Sequence, residues 1–180
     1  MENISQWTIQ TLRQDKSLPT WLEERKFEWI PLVKNTLTRL FSGESLIIIT
    51  DKERDWFMQY ITTSINRSSN RPYFPILSMK SILPQSQKLE SDETEQMLIY
   101  DYLDNLFPQH YFFWYIGKDE RSLSTLALSK EGSFLWIFDK NLQNNFTLQS
   151  TDPLLDIKLM QMYNIFNLTL NAAILGQISL

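Results

Sequence analysis

The feature that most constrains the fold is the C-terminal segment, because residues 159–180 contain no charged side chain. Asp152 and Pro153 precede this segment, and an N-cap residue followed by proline is typical of the start of a helix. We therefore predict a long, nearly apolar helix over residues 152–176. So long an uncharged segment is seldom exposed to water, so it must be covered by protein or by lipid.

Amide side chains decide between these two environments. Gln161, Asn164, Asn167 and Asn171 interrupt the segment and fall broadly along one side of a helix. This favours burial in protein over a transmembrane span. We expect the helix to cover a sheet and to meet a second subunit through its polar stripe. The alternative is a core helix whose uncharged stripe faces solvent.

A strand followed by a helix predicts how the sheet is built. Ser45–Thr50 reads SLIIIT, a continuous apolar run typical of a central parallel strand covered on both faces. Asp51 is placed to cap an amphipathic helix that follows it. The residues expected on the buried face of this helix are Trp56, Phe57, Tyr60, Ile61 and Ile65.

Strands and helices alternate along the rest of the chain. Further strands are predicted at 74–79, 111–117 and 133–138, with helices at 91–107 and 123–129. This alternation indicates an α/β protein of three layers, α/β/α, with a parallel sheet of about five strands. The length of 180 residues suits one domain, 1–180. Within it we expect N-terminal helices in 1–42, the sheet core in 45–138 and the C-terminal helix in 152–176.

Two helices are predicted before the first clear strand. Residues 4–12 have the spacing of a short amphipathic helix, and a second helix is expected over 21–41. Pro31 lies inside the second helix, where we expect a kink or a break. The residues expected on its buried face are Trp21, Leu22, Phe27, Ile30, Val33, Leu37 and Leu40.

The residues needed for common kinds of catalysis are missing. The chain has no cysteine, and its 4 glycines are isolated, so neither a thiol site nor a phosphate-binding glycine loop can be written. His110 is the single histidine, which we interpret as a structural or surface residue. Asp51, Glu53 and Asp55 are interpreted as caps and first-turn carboxylates rather than as a catalytic pair. We predict no enzyme activity, no cofactor and no metal site.

The charge pattern bears on partners. The formal net charge is −4, which disfavours direct binding to nucleic acid. Residues 89–117 contain acidic side chains but no lysine or arginine. A solvated helix face is the plain interpretation of this run, and a docking surface for a basic partner is the alternative. The first residues show no basic segment followed by an apolar run, so we expect a cytoplasmic protein without membrane association.

Four segments together resemble the HobA family of replication-initiation factors: DKERDWFMQYI (51–61), FFWYIGK (112–118), LALSKEGSFLWIF (126–138) and LLDIKLMQMYNIF (154–166). The resemblance spans essentially the whole chain. It implies a fold like the sugar isomerase (SIS) domain, a homotetramer, and binding to the N-terminal domain of the initiator DnaA. It also implies a function in promoting DnaA assembly at the chromosomal origin. DiaA is the counterpart of this family in other bacteria.

Two further expectations follow from the resemblance. Apolar residues near the C-terminus contribute to initiator binding in the DiaA branch, so the partner-binding residues expected here are Leu175, Ile178 and Leu180, with Gln177 as a hydrogen-bonding neighbour. A sugar-phosphate-binding isomerase or sensor of the SIS class is the alternative function. The serine- and threonine-rich loop of SIS domains is replaced here by TDKERDW (50–56), which argues against this alternative.

Overall fold

The computed structural model describes residues 2–15, 18–67, 71–84, 93–119 and 123–180. The helices are α1 (Ile4–Gln14), α2 (Trp21–Glu24), α3 (Lys26–Phe41), α4 (Asp55–Ser64), α5 (Met79–Ile82), α6 (Glu93–Leu106), α7 (Leu123–Ser129) and α8 (Leu155–Ile174). The strands are β1 (Glu2–Asn3), β2 (Ser45–Thr50), β3 (Ile76–Ser78), β4 (Tyr111–Lys118), β5 (Phe134–Phe138), β6 (Asn145–Leu148) and β7 (Ile178–Ser179). A short 3-10 helix, Lys52–Arg54, joins β2 to α4.

The main sheet confirms the predicted α/β class. Among the described residues it has five parallel strands in the order β3-β2-β4-β5-β6. Strands β2 and β4 pair along their whole common length, from Ser45 opposite Tyr111 to Thr50 opposite Ile116. The edge strand β6 is an addition to the elements predicted from sequence. It lies beyond the expected sheet core of 45–138 and pairs with β5.

Side chains that alternate along the strands divide the interior into two cores. Leu46 and Ile48 of β2 belong to the larger core, which also contains apolar residues of α1, α3, α4 and α8. Ile47 and Ile49 belong to the smaller core, which contains residues of α5, α6 and α7. Because helices cover both faces of a parallel sheet, the fold has the predicted three layers.

The predicted helix over 21–41 is interrupted, but at a different residue from the one expected. Pro31 lies inside α3, whereas the break is at Arg25, whose φ and ψ are −106° and 18°. The Arg25 guanidinium lies 3.9 Å from the centre of the Phe146 ring and donates a hydrogen bond of 2.7 Å to the Thr147 carbonyl. These contacts with β6 hold Arg25 out of helical geometry, so the helix breaks at Arg25, whereas α3 continues through Pro31.

The position of Phe27 was also predicted wrongly. Its side chain is 82% exposed, although it was expected on the buried face. The buried residues of α3 are Trp29, Val33, Thr36, Leu37 and Leu40. Residues two positions apart on a helix point in nearly opposite directions, so once Trp29 faces the core, Phe27 faces away from it.

The two ends of the chain pair with each other. Strand β1 lies parallel to β7, with Glu2 opposite Ile178 and Asn3 opposite Ser179. Gly176, with a φ of +68°, turns the chain after α8 so that β7 can reach β1. Helix α8 confirms that the C-terminal helix is long, but it spans Leu155–Ile174 rather than 152–176, and its N-cap is Leu154 rather than Asp152. Among the described residues, none of the helices has the length and apolar character needed to span a membrane.

Candidate protein-interaction surfaces

The crevice between the carboxyl ends of β2 and β4 is where a parallel sheet of this topology can hold a ligand. Strand β2 connects to β3 on one side and β4 connects to β5 on the other, so the connections that leave β2 and β4 run in opposite directions. Sheets of this kind bind ligands at such a point, often with a phosphate on backbone amides.

Here Asp51 fills that crevice. Its side chain is only 5% exposed; Oδ1 accepts a 3.0 Å hydrogen bond from the Arg54 amide and Oδ2 a 3.1 Å bond from the Lys118 amide. The prediction that Asp51 is a helix cap is confirmed, since it caps the 3-10 helix that precedes α4. The backbone donors that could receive a phosphate are therefore bound to a carboxylate of the chain itself.

Other acidic residues around the crevice are paired with lysines. The Asp55 carboxylate forms an ion pair with Lys80 and accepts a 3.3 Å hydrogen bond from the Thr50 hydroxyl. Asp119 accepts a hydrogen bond from Ser124 and forms an ion pair with Lys140. These pairs hold loops together at this edge of the sheet, which fits structural roles for the carboxylates better than a catalytic one.

His110 lies at the opposite end of the parallel strands, directly before β4. It is exposed, has a φ of 71°, and its carbonyl accepts a 3.1 Å hydrogen bond from the amide of Ser45, at the start of β2. The single histidine is therefore remote from Asp51, as expected for a surface residue. The arrangement offers no pairing of this imidazole with the carboxylates of the crevice.

An exposed aromatic surface lies between α4 and α8. We define the α4–α8 surface by Trp56, Tyr60, Ile157, Met160, Gln161 and Asn164, which line a cleft of about 760 Å³. Trp56 and Tyr60 are 41% and 40% exposed, so the prediction that both are buried was wrong, and Ile157 is 56% exposed. The buried residues of α4 are Phe57, Met58 and Ile61, so its core-facing side is centred away from Trp56 and Tyr60. Clustered exposed aromatic and aliphatic side chains are typical of a protein interface.

The floor of this cleft is fixed by tyrosines. The rings of Tyr60 and Tyr163 meet edge to face, with centroids 5.5 Å apart, and the Tyr163 hydroxyl lies 2.7 Å from the hydroxyl of Ser64. Burial raises the pKa of the Tyr163 phenol, so its neutral form is retained at physiological pH. These contacts join helices α4 and α8 at the cleft.

The polar stripe of α8 is largely used within the chain. Gln161 accepts a 3.1 Å hydrogen bond from the indole of Trp21. Arg71, which is 9% exposed, donates hydrogen bonds of 2.9 Å to Asn167 and 2.7 Å to Asn171. Asn164 alone of the four predicted stripe residues is exposed. Hence the part of the stripe that faces outward is the part that lines the α4–α8 cleft.

The four residues predicted to bind a partner do not share one exposed patch. Leu175 is 61% exposed and Gln177 is exposed, whereas Ile178 is only 3% exposed and Leu180 packs against the larger core. Ile178 points inward because it lies in β7, where successive side chains alternate between the two faces. The alternation of apolar and polar residues at 178–180 is the sequence signal that would have indicated this.

Comparison with known proteins identifies the family. A family model described as "HobA: DNA replication regulator" matches residues 1–180. The DNA replication regulator protein HobA of Helicobacter pylori is 28% identical over 189 residues, which cover 100% of both chains.

Two solved structures of Helicobacter pylori proteins are similar to this fold. One is a complex of HobA with domain I–II of DnaA, which matches with a TM-score of 0.77 and 26% identity over 100% of both chains. The other is HobA itself, with a TM-score of 0.71 and 27% identity over 84% of this chain and 82% of that one. The family model, the sequence match and the fold agree over the whole chain, and the chain belongs to the HobA family of DNA replication regulators.

Proposed function

We propose that this protein is a non-enzymatic adaptor that binds the N-terminal domain of the initiator DnaA and promotes DnaA assembly at the chromosomal origin. The observation that carries the proposal is the similarity, over 100% of both chains, to a HobA solved in complex with domain I–II of DnaA. A regulator of chromosome replication acts where the chromosome is, so we place the protein in the cytoplasm.

The absence of enzyme activity is supported by the filled crevice. The Asp51 carboxylate accepts hydrogen bonds from the backbone amides of Arg54 and Lys118. A sugar phosphate that bound to these amides would have to displace this buried carboxylate. Two negative groups at one site repel each other, which disfavours such a ligand. A thermal-shift assay with a panel of sugar phosphates tests the SIS-type alternative, and we expect no rise in Tm with any of them.

We further propose that the protein assembles as a homotetramer through the α4–α8 surface. Exposed Trp56, Tyr60 and Ile157 give this surface the aromatic and aliphatic centre of an interface, and the outward part of the α8 stripe adds Asn164 as a polar group. An oligomer holds several DnaA molecules near one another and raises their effective concentration for cooperative loading on DNA.

The initiator contact is proposed at the end of α8. Leu175 and Gln177 are the exposed members of the set, whereas Leu180 is partly buried against the larger core and Ile178 is buried. The different exposure of these residues gives them different roles. Leu175 and Gln177 are available to a partner, and Ile178 holds the strand that presents them.

The central experiment is a pull-down of purified DnaA domain I–II by the full-length protein, with light scattering of the protein alone. We expect retention of the DnaA fragment and a mass of four chains at micromolar concentration. A protein that retains no DnaA fragment contradicts the adaptor function, and a monomer contradicts the tetramer. A mobility shift of origin DNA by the protein without DnaA would contradict the expected lack of direct DNA binding.

A further inference from the structure

The outer face of α6 is an exposed apolar surface that the proposed function does not use. We define the α6 outer face by Glu93, Met97, Leu98, Asp101, Tyr102 and Leu106. The helix packs on the smaller core through Ile99 and Leu103, which leaves this face turned outward. Met97 and Leu98 are 67% and 64% exposed, and Leu106 and Tyr102 are 47% and 45% exposed. Four large apolar side chains on one helix are thus accessible to a partner.

The apolar side chains of this face form a row. Leu98, Tyr102 and Leu106 follow one another at intervals of four residues, so they lie one above the other along about 12 Å of helix. Glu93, Met97 and Asp101 form the neighbouring row at the same intervals. The face therefore presents an apolar stripe with carboxylates along one side. A second helix laid along α6 would meet both rows.

The charge of the helix has one sign. Glu93, Glu95, Asp101 and Asp104 lie on α6, and no lysine or arginine occurs between residues 89 and 117. Lys130 is the cation that approaches from the described part of the chain, but its ammonium is 3.8 Å from Asp104 and lies 4.0 Å over the ring of Tyr111. Glu93 and Asp101 form no ion pair with any described residue. Their charge is consequently available to a partner of opposite sign.

This charge disfavours three kinds of contact. Nucleic acid and anionic membranes carry negative charge and are repelled by the carboxylates. A second copy of the chain docking α6 against α6 would bring two acidic helices together, which is unfavourable as well. A positively charged helix satisfies both rows, since its apolar side chains meet Leu98, Tyr102 and Leu106 while lysine or arginine meets Glu93 and Asp101.

We infer that the α6 outer face docks a cationic amphipathic helix of a partner protein. Met97 suits this role because an unbranched thioether adapts to partners of different shape. The face lies on the opposite side of the sheet from α4, α8 and the C-terminal segment, which all belong to the larger core. The partner can therefore bind while the proposed subunit interface and initiator contact are both occupied. The inference goes beyond the proposed function and does not depend on it.

The test uses a fluorescein-labelled peptide of leucine and lysine, ordered so that its helix has one apolar and one cationic face. Titration with the full-length protein should raise the fluorescence anisotropy to saturation, and hydrogen exchange should slow at the amides of α6. Raising the salt concentration from about 50 mM to about 300 mM should weaken binding, because it screens the carboxylates. A peptide of the same composition in scrambled order should bind at least about tenfold more weakly.

Two variants locate the site. The double substitution Met97→Gln/Leu98→Gln removes exposed apolar groups without touching the core, and we expect Kd for the peptide to rise at least about tenfold. Phe27→Gln/Tyr73→Gln removes comparably exposed aromatic groups on other surfaces and should leave Kd unchanged. Equal binding of the scrambled peptide, or an unchanged Kd in the α6 variant, overturns the inference. Loss of DnaA domain I–II from the α6 variant also overturns it, because the face would then belong to the initiator.

Discussion

Gly117 lies directly against Asp51, and a Cβ at residue 117 would stand 2.7 Å from the Asp51 Oδ2 atom. A carbon atom cannot approach an oxygen to which it is not bonded that closely without movement, and a φ of +151° at residue 117 disfavours any side chain in addition. The buried carboxylate that fills the crevice between β2 and β4 thus depends on a glycine in the neighbouring strand.

The first prediction concerns this pair. Gly117→Ala should lower the free energy of unfolding by roughly 2–3 kcal/mol, because the new methyl group either displaces Asp51 from its two amides or strains β4. Gly176→Ala is the matched control, since Gly176 has a φ of +68° but no atom within 4 Å of an added Cβ. Only backbone strain of about 1–2 kcal/mol applies there. Urea denaturation of both variants measures the difference, and equal losses would show that the contact with Asp51 contributes nothing.

Arg25 supports a second prediction, about the break between α2 and α3. Arg25→Ala removes the hydrogen bond to the Thr147 carbonyl and the contact with the Phe146 ring, so we expect a loss of about 1–3 kcal/mol in unfolding free energy. Arg13→Ala removes an arginine that forms an exposed ion pair with Glu23 and should have little effect. Thermal denaturation compares the two. A loss no larger for Arg25→Ala than for Arg13→Ala would show that other contacts cause the break.

The same arginine predicts a dependence on pH. A hydrogen bond from Arg25 lowers the pKa of Glu28, and a carboxyl group with a lowered pKa in the folded state stabilises the protein above its unfolded pKa of about 4.3. That contribution is lost as the pH falls through the lower, folded pKa. The Glu28 carboxylate is 47% exposed, so the effect is only about 0.2–0.5 kcal/mol. The difference in stability between the protein and Glu28→Gln should therefore shrink from pH 7 to about pH 3, and a constant difference would contradict the assignment.

Sequence reasoning succeeded where the structure follows from local patterns. The run SLIIIT needs both faces covered whatever its neighbours are, and β2 was found at its full length. Helix α7 was likewise predicted with the bounds that it has, Leu123–Ser129. Strands β1 and β7 have two residues each and were missed, because nothing in so short a segment distinguishes a strand from a loop.

Contacts between distant residues explain two further errors. The orientation of Phe27 depends on the break at Arg25, which depends in turn on Phe146 and Thr147 in an edge strand far along the chain. The inward direction of Ile178 depends on its pairing with Glu2 at the other end of the chain. Periodicity within one segment contains no information about either partner. The alternation of apolar and polar residues at 178–180 indicates that Ile178 and Leu180 share one face of a strand, but the pairing that turns this face inward required the structure.

The α4–α8 surface supports a prediction about assembly. Ile157→Asp places a charge in the middle of the proposed subunit interface, and burying an unpaired carboxylate there should dissociate the oligomer. Ile157 is 56% exposed in the single chain, so the substitution should not destabilise the monomer itself. The Tm of the dissociated variant should therefore not fall below the Tm of the original protein at a dilution where it is also monomeric. Light scattering measures the mass. Phe27→Asp, at a more exposed side chain outside this surface, should keep the mass of the original protein, and an unchanged mass for Ile157→Asp would exclude this surface as the interface.

The last prediction separates contact from support in the C-terminal segment. Leu175→Asp changes a side chain that is 61% exposed, so the fold should be kept while binding of DnaA domain I–II weakens at least about tenfold. Ile178→Asp places a carboxylate at a site that is 3% exposed and should lower the free energy of unfolding by several kcal/mol. Loss of DnaA binding in the second variant alone would therefore reflect unfolding of β7 from β1 rather than a lost contact. Calorimetric titration of DnaA domain I–II into each variant, with circular dichroism to check folding, distinguishes the two effects. If folded Leu175→Asp binds DnaA as tightly as the original protein does, the initiator contacts another surface.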